Sequence, residues 1–306
     1  MAKIYPKAYF GNRLVDQKAA SLNITTSAIL YGLSVYTVFP VMMQEGKKMA
    51  AFRLEDHFNR LSESARIIGI DGFNGSWNYL KFVQAIKKLN HENKIKEDVF
   101  IRATLHVDEE LPGTRSRGLH TVFSMFAYEA QPILSQNGAR LKTSVWRRVP
   151  DYSIPSRAKV NGAYINSVLA KQDALDSGYD DCIFLDSVGH VCELSAANIF
   201  LVRSGKLITP DTASDILEGI NRKTIIQLAK EAGIEVIERT VDLTELYIAD
   251  EVFASGTSAF IAPVVEVDAR RVANGKTGSM TSKLKKLHEE ALRGAGKKHH
   301  DWLTYL

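Results

Sequence analysis

Three side chains between Pro155 and Phe200 have the types and spacing to do chemistry together: Lys159, Tyr164 and Glu193. Lys159 closes the segment Pro155-Ser156-Arg157-Ala158-Lys159. Tyr164 follows five residues later and opens a helix-like run to Gly178, and Glu193 lies in the return arm of a hairpin, Val191-Cys192-Glu193-Leu194. An amine can carry an aldehyde as a Schiff base, a phenol can bond a ring oxygen, and a carboxylate can keep a pyridine nitrogen protonated. Those are the requirements for holding pyridoxal phosphate and running it. Such a lysine must be partly desolvated, because burial lowers an ammonium pKa from about 10.4 toward neutrality and exposes a nucleophilic amine. Pro155 fixes the approach to Lys159, and Gly162 permits an unusual backbone just beyond it. Glu193, set between apolar neighbours, needs a partner if buried, and a pyridinium N–H is one. Ser195 and Asn198 are placed to brace it by bonding backbone groups.

Two loops offer phosphate-binding chemistry. Leu217-Glu218-Gly219-Ile220-Asn221-Arg222 ends a loop and opens a helix, where free N–H groups and the dipole favour an anion. Ser255-Gly256-Thr257-Ser258 adds a glycine and hydroxyls. Arg60, on a helix with His57, reads either as an ordinary surface cation or as a salt bridge to a phosphate.

The elements that position these groups follow in mixed order. Tyr9–Val15 reads as strand, turn and strand with Gly11-Asn12 at the turn. A helical turn leads into a buried strand over Ala28–Met43, and Gln44–Lys48 is a hairpin turn. Leu54, Phe58, Leu61 and Ala65 recur at helical spacing, so Leu54–Ala65 is a helix. A second helix is expected at Tyr79–Asn90, with strands at Val99–Leu105 and Thr121–Tyr128. The Pro- and Gly-bearing stretch Gln131–Gly138 reads as an interdomain linker. Strands Leu141–Arg147, Asn198–Val202 and Glu235–Arg239 follow, with helices Ile220–Ala232 (closed by Gly233), Leu243–Ile248 and Ser282–Arg293. This is an α+β pattern, without internal repeats or low-complexity tracts.

A chain of 306 residues, 45% hydrophobic and 24% charged, has ordinary globular composition and room for one large or two medium domains. No apolar run approaches the ~18–20 residues a spanning helix requires, and Met1–Pro6 has no signal-peptide core. A net charge of +4, with several lysines in the last helix and tail, argues against a nucleic-acid groove. Cys182 and Cys192 lie in one hairpin. With Asp186–Gly189 as the turn, residue 182 faces 193 and Cys192 points to the opposite face, so a disulfide is not expected, which suits a reducing cytoplasm.

Together these blocks resemble the class IV (fold type IV) pyridoxal-phosphate aminotransferases, most closely the branched-chain amino-acid aminotransferases. The resemblance covers nearly the whole chain. It rests on Tyr31-Gly32-x-Ser34-Val35, Phe52-Arg53-Leu54-x-x-His57-x-x-Arg60-Leu61, Ile101-Arg102, and Ile154-Pro155-x-x-Ala158-Lys159 with Asn161-x-x-Tyr164. It continues through Glu193-x-Ser195-x-x-Asn198-Ile199-Phe200, Gly219-Ile220-x-Arg222 and Asp250-Glu251-Val252-Phe253-x-Ser255-Gly256-Thr257. The Glu193–Phe200 pattern, with a lysine about 34 residues upstream, is its specific part.

The resemblance implies a small N-terminal domain (1–128), a linker (129–139) and a larger C-terminal domain (140–306), with the cofactor between them. It makes Lys159 the catalytic residue, linked to pyridoxal phosphate and shuttling the proton between substrate Cα and cofactor C4′. Glu193 would hold the pyridine nitrogen and Tyr164 the ring oxygen. Arg60, the backbone of Ile220 and Asn221, and Thr257 would hold the phosphate, with Leu217 also in the cofactor set. Substrate contacts would come from Tyr31, Tyr36, Val38, Phe100, Arg102, Tyr128, Thr257 and Ser258, with Arg102 suited to a distal carboxylate. No metal is implied, and a homodimer or larger assembly of dimers is expected. The implied reaction is a ping-pong transfer of the amino group of leucine, isoleucine or valine to 2-oxoglutarate.

The chain departs from the family in two places. Branched-chain members usually continue the first block as Phe-Glu-Gly-Ile-Arg, where this chain has Tyr36-Thr37-Val38-Phe39-Pro40. That block looks like the one in (R)-selective amine transaminases. The loop Asp108–Arg117 also lacks the usual glycine-rich run, and its Arg115 and Arg117 read either as carboxylate binders or as solvated cations. An (R)-amine or D-amino-acid transaminase is therefore the alternative. An aminodeoxychorismate lyase and a non-catalytic cofactor carrier are more remote ones.

Overall fold

The computed structural model describes residues 2–295 and 298–306, and in it the chain divides into two units. One comprises the chain up to Gln131 with Ala158–Ala163 and Ala291–Leu306, the other Pro132–Arg157 with Tyr164–Glu290. The first unit holds β1 (Ile4–Phe10), β2 (Arg13–Asp16), β3 (Ser34–Met43), β4 (Met49–Phe52), β5 (Val99–Val107), β6 (Thr121–Glu129) and, from the chain's far end, β16 (Leu303–Tyr305). They form a seven-stranded antiparallel sheet in the order β16-β4-β3-β5-β6-β1-β2. Helices α1 (Ser27–Leu30), α2 (Leu54–Ile67), α3 (Gly72–Ser76) and α4 (Tyr79–Glu92) complete it.

Strand alternation divides that sheet into two unlike faces. Val35, Phe39 and Val41 of β3, Ile101, Ala103 and Leu105 of β5, and Phe123, Met125 and Ala127 of β6 enter one core with Leu54, Phe58, Leu61 and Ala65 of α2. The expected amphipathic stripe of α2 is thus the surface it buries. α4 adds Phe82, Ile86 and Leu89 to the same core, and its N-cap Asn78 accepts from Lys81 N at 2.9 Å.

The second unit contains β7 (Ala139–Thr143), β8 (Asp181–Leu185), β9 (Val191–Leu194), β10 (Asn198–Arg203), β11 (Lys206–Thr209), β12 (Val236–Glu238), β13 (Glu251–Gly256), β14 (Phe260–Val267) and β15 (Arg270–Arg271). The sheet runs β12-β11-β10-β13-β14-β7-β8-β9, and β15 pairs with β14. Pairing of Asn198 with Glu193 joins β9 back to β10, so six of these strands close into a ring. Helices α5 (Tyr164–Asp176), α6 (Ile220–Glu231), α7 (Leu243–Tyr247) and α8 (Ser279–Leu292) accompany it.

The mixed α/β architecture agrees with expectation, and several details differ, among them the ends of the expected linker 129–139, where Glu129 belongs to β6 and Ala139 to β7. Ala158–Ala163 and Ala291–Leu306, which the sequence reading placed in the C-terminal domain, belong to the first unit. The physical reason is strand pairing: Val160 bridges Val35, and β16 covers the free edge of β4 with Leu303 opposite Phe52. β7 stops at Thr143, not Arg147, because Thr143 N and Oγ1 are both held by the Asp268 carboxylate at 2.6 Å and Ser144 then takes up Ile183 O. α8 starts at Ser279, three residues early, since the buried Glu251 carboxylate accepts from the Met280 and Thr281 N–H groups at 2.9 and 2.7 Å. In the cysteine hairpin, Ile183 faces Leu194 and Leu185 faces Val191 through a register shift. Residue 182 therefore does not face 193. Cys182 and Cys192 pack into one apolar cluster with Ala170 and Ala174 of α5, both thiols free and their pKa raised by burial.

Candidate active site

β4 pairs with β3 only through Val41–Met43, which leaves the Ser34–Tyr36 end of β3 with an open edge. The segment around Lys159 fills that edge. Tyr36 N donates to Lys159 O at 3.0 Å and Asn161 N donates to Ser34 O at 2.8 Å. From α2, Ser64 Oγ accepts from Lys159 N at 3.0 Å while donating to Arg60 O at 2.7 Å. Both backbone groups of residue 159 are therefore fixed independently of its side chain. Close packing completes the clamp: a Cβ on Gly32, where φ is +64°, would lie 2.8 Å from Gly162 Cα. The unusual backbone expected at Gly162 belongs to Gly32, and Gly162 is needed for the close approach.

Tyr36, Val38, Phe100, Arg102 and Tyr128, five of the side chains expected to meet substrate, share the sheet face opposite the core. Register places Val38 beside Arg102, Arg102 beside Phe126, and Phe100 between Pro40 and Tyr128. Tyr36 shares this face two residues from Val38. The Arg102 guanidinium lies 3.6 Å over the Tyr36 ring and its Nη2 donates to Asn161 Oδ1 at 3.0 Å. Lys159 Nζ lies 5.0 Å from the same ring centroid. One aromatic ring thus holds two cations, each gaining from its π-face. Tyr31, at the end of α1, is half exposed, and no ring contact or hydrogen bond among the described residues joins its side chain to that face. Arg115 and Arg117 are exposed.

Arg60 approaches from α2, on the core side of β3. Its Nη2 donates to Thr37 Oγ1 at 3.3 Å, and Thr37 Oγ1 lies 2.8 Å from His57 Nδ1. Burial, with the charges of Arg60 and Lys159 adding, holds His57 well below the usual imidazole pKa, so its ring is neutral.

In the second unit Glu193 is buried on β9, and its carboxylate is the centre of a network. Arg148 Nη2 lies 3.0 Å from Oε1, and Oε2 accepts from Asn198 Nδ2 at 3.1 Å and Leu217 N at 3.2 Å. Asn198 Nδ2 also donates to Leu217 O at 2.9 Å. Arg148 is the functional residue the sequence reading missed. It stands far along the chain from Glu193 with no motif of its own, and only closure of the strand ring pairs them. Asn198 bonds the carboxylate itself, a closer role than the bracing expected of it. Leu217 serves through its backbone, on Glu193.

Ile220 and Asn221 begin α6 just after Gly219, as expected of an anion-binding helix start. Asn221 Nδ2 donates to Gly256 O at 2.8 Å, tying α6 to the loop of Thr257 and Ser258. Ser258 O accepts from Ile133 N at 3.0 Å. A Cβ on Gly219 would fall 2.0 Å from Asn198 Oδ1, and one on Gly256 would fall 3.2 Å from Ala196 O. Ser255 Oγ, fully buried on the strand leading into this loop, has no hydrogen-bond partner among the described residues. Tyr164 is the first residue of α5. Glycine-lined close packing, the N-terminus of a twelve-residue helix and a spare hydroxyl suit a phosphate, and an ionised buried carboxylate suits a pyridinium. The donor set therefore fits pyridoxal phosphate.

Comparison with known proteins agrees with that chemistry. The family model described as amino-transferase class IV matches residues 34–267. A probable branched-chain-amino-acid aminotransferase of Aquifex aeolicus is 37% identical over 300 residues, covering 97% of this chain and 96% of that one. The crystal structure of a branched-chain aminotransferase from Thermoproteus uzoniensis with norvaline matches with a TM-score of 0.93 at 34% identity, covering 98% of this chain and 99% of that one. The branched-chain amino acid aminotransferase of Thermobaculum terrenum, in its PLP-bound holo-form, matches with a TM-score of 0.90 at 31% identity, covering 99% of this chain and 98% of that one. The chain belongs to the class IV aminotransferase family and is a pyridoxal-phosphate-dependent aminotransferase of fold type IV.

Proposed function

We propose that this aminotransferase moves the amino group of L-leucine, isoleucine or valine to 2-oxoglutarate in two successive half-reactions. When bound, pyridoxal phosphate supplies an aldehyde and an electron-withdrawing ring. Lys159 Nζ would hold the cofactor and move the substrate Cα proton, Glu193 would hold the pyridine nitrogen protonated, and Tyr164 would bond the ring oxygen. Arg60, the N–H groups of Ile220 and Asn221, and Thr257 hold the phosphate.

The carrying observation is the substrate face of the first sheet. Val38, Phe100, Phe126 and Tyr128 make it apolar, which suits a branched aliphatic side chain, and Arg102 stands among them. A guanidinium there is available to a distal carboxylate. An apolar donor and a dicarboxylate acceptor thus share one face. Names of the relatives point to the same donors. Cofactor-loaded protein given L-leucine should lose its visible absorbance and recover it with 2-oxoglutarate. L-Leucine should exceed (R)-1-phenylethylamine in kcat/KM by at least about a hundredfold. If only the amine bleaches the cofactor, the (R)-amine reading replaces this one; the Val38 side chain, on the substrate face where branched-chain members usually have glycine, is the observation in its favour.

We also propose a homodimer, in a reducing cytoplasm that suits two buried free thiols. Ile165, Val168 and Leu169 on one face of α5 are 63%, 59% and 40% exposed, more apolar surface than a solvated helix ordinarily carries. Val168→Glu should shift the light-scattering mass from two chains to one. A dimer mass that survives this change and Ile165→Asp together removes α5 from the interface.

A further inference from the structure

Where α2 packs on β3, Phe39, Val41, Leu54, Phe58 and Leu61 make an apolar core, yet Thr37 and His57 are buried beside Arg60, 0% and 1% exposed. Valine at position 37 would fill the same space without desolvating a hydroxyl. The hydroxyl therefore calls for a reason, and its bonding supplies one. A guanidinium can only donate, so Thr37 Oγ1 is the acceptor in its 3.3 Å contact with Arg60 Nη2. Among the described residues the hydroxyl proton has no acceptor other than His57 Nδ1, 2.8 Å away, so Thr37 donates there and the imidazole carries its own hydrogen on Nε2. A neutral ring is required for this, which burial and the neighbouring charges enforce. His57, Arg60 and Ser64 recur at helical spacing along α2, and the same turn that presents Arg60 also reaches Lys159 N through Ser64.

We propose that Thr37 is a positioning residue: held in orientation by His57, it presents a lone pair that aims the Arg60 guanidinium at the cofactor phosphate. This rests on the reading of Arg60 as a phosphate-binding residue. The pairing pre-organises Arg60, whose long side chain otherwise loses rotamer freedom when the anion arrives.

Cofactor dissociation constants, measured by tryptophan-fluorescence titration of apoprotein, and the ³¹P resonance of the bound phosphate test it. Arg60→Gln should weaken cofactor binding by about a hundredfold. Thr37→Val should weaken it by about tenfold and move the ³¹P resonance, and Thr37→Ser should stay within about threefold of the parent. In an Arg60→Gln background Thr37→Val should add less than about twofold. Val41→Ala, a core change on the same strand face, should lower the melting temperature without moving either readout. Should Thr37→Val fail to fold, Thr37→Ala takes its place with the same expected tenfold loss. Parent-like affinity and resonance in the Thr37 variants, with Arg60→Gln weakened, overturn the proposal. Parent-like affinity in Arg60→Gln overturns the Arg60 reading instead, and the proposal with it.

Discussion

Replacing Lys159 by alanine is expected to slow amino transfer by about four orders of magnitude, as its proposed roles of linking to the cofactor and moving the proton require. The fold should survive. Residue 159 is held by its backbone, through Ser64 Oγ and Tyr36 N, and neither bond involves the amine. Truncation removes one of the two cations over the Tyr36 ring and leaves Arg102 in place with its bond to Asn161. The melting temperature should accordingly move by no more than about 2 °C. A single-turnover assay with L-leucine beside a thermal melt checks both. Transfer at even a tenth of the parent rate would remove Lys159 from the chemistry, and with it the assignment of every residue around it.

Glu193→Gln carries the second large effect, and here activity and stability fall together. Glutamine keeps the shape and can still accept from Asn198 and Leu217, but it cannot hold a pyridinium or balance Arg148. Both partners of this ion pair are mostly buried, at 13% and 8% side-chain exposure. Removing one leaves an uncompensated charge, at a cost of about 3–5 kcal/mol. Turnover should drop by about a hundred- to a thousandfold. Adding Arg148→Met should restore most of the stability and none of the turnover, because it removes the stranded charge without returning the carboxylate. A double mutant as unstable as Glu193→Gln alone would show that the pair is not coupled, and near-parent turnover in Glu193→Gln would remove the pyridine role.

These two residues also mark how far the chain could be read without its fold. Lys159, Tyr164 and Glu193 stand out in the sequence because the proposed chemistry demands particular functional groups, and those are conspicuous against local composition. The helix start at Ile220 and the loop at Ser255–Ser258 were legible because glycine, hydroxyl and helix-opening residues have local causes. So were α2 and the long strands, whose apolar residues recur at the helical or the strand period. Expected element ends moved by a few residues where a distant side chain intervened, as Asp268 does at Thr143 and Glu251 at Met280.

By itself, then, the amino-acid sequence determined which chemistry this protein can carry and which segments are helix or strand, since both depend on residue type and short-range periodicity. Only the tertiary structure decided that Arg148 balances Glu193 and that Val38, Phe100, Arg102 and Tyr128 share a face. It also decided that Thr37 joins His57 and Arg60, and that the lysine segment and the chain's last strand complete the first sheet. Those facts depend on strand register, on the closing of a ring of strands and on which sheet edges are left open. They are long-range pairings between segments that carry no mark of one another.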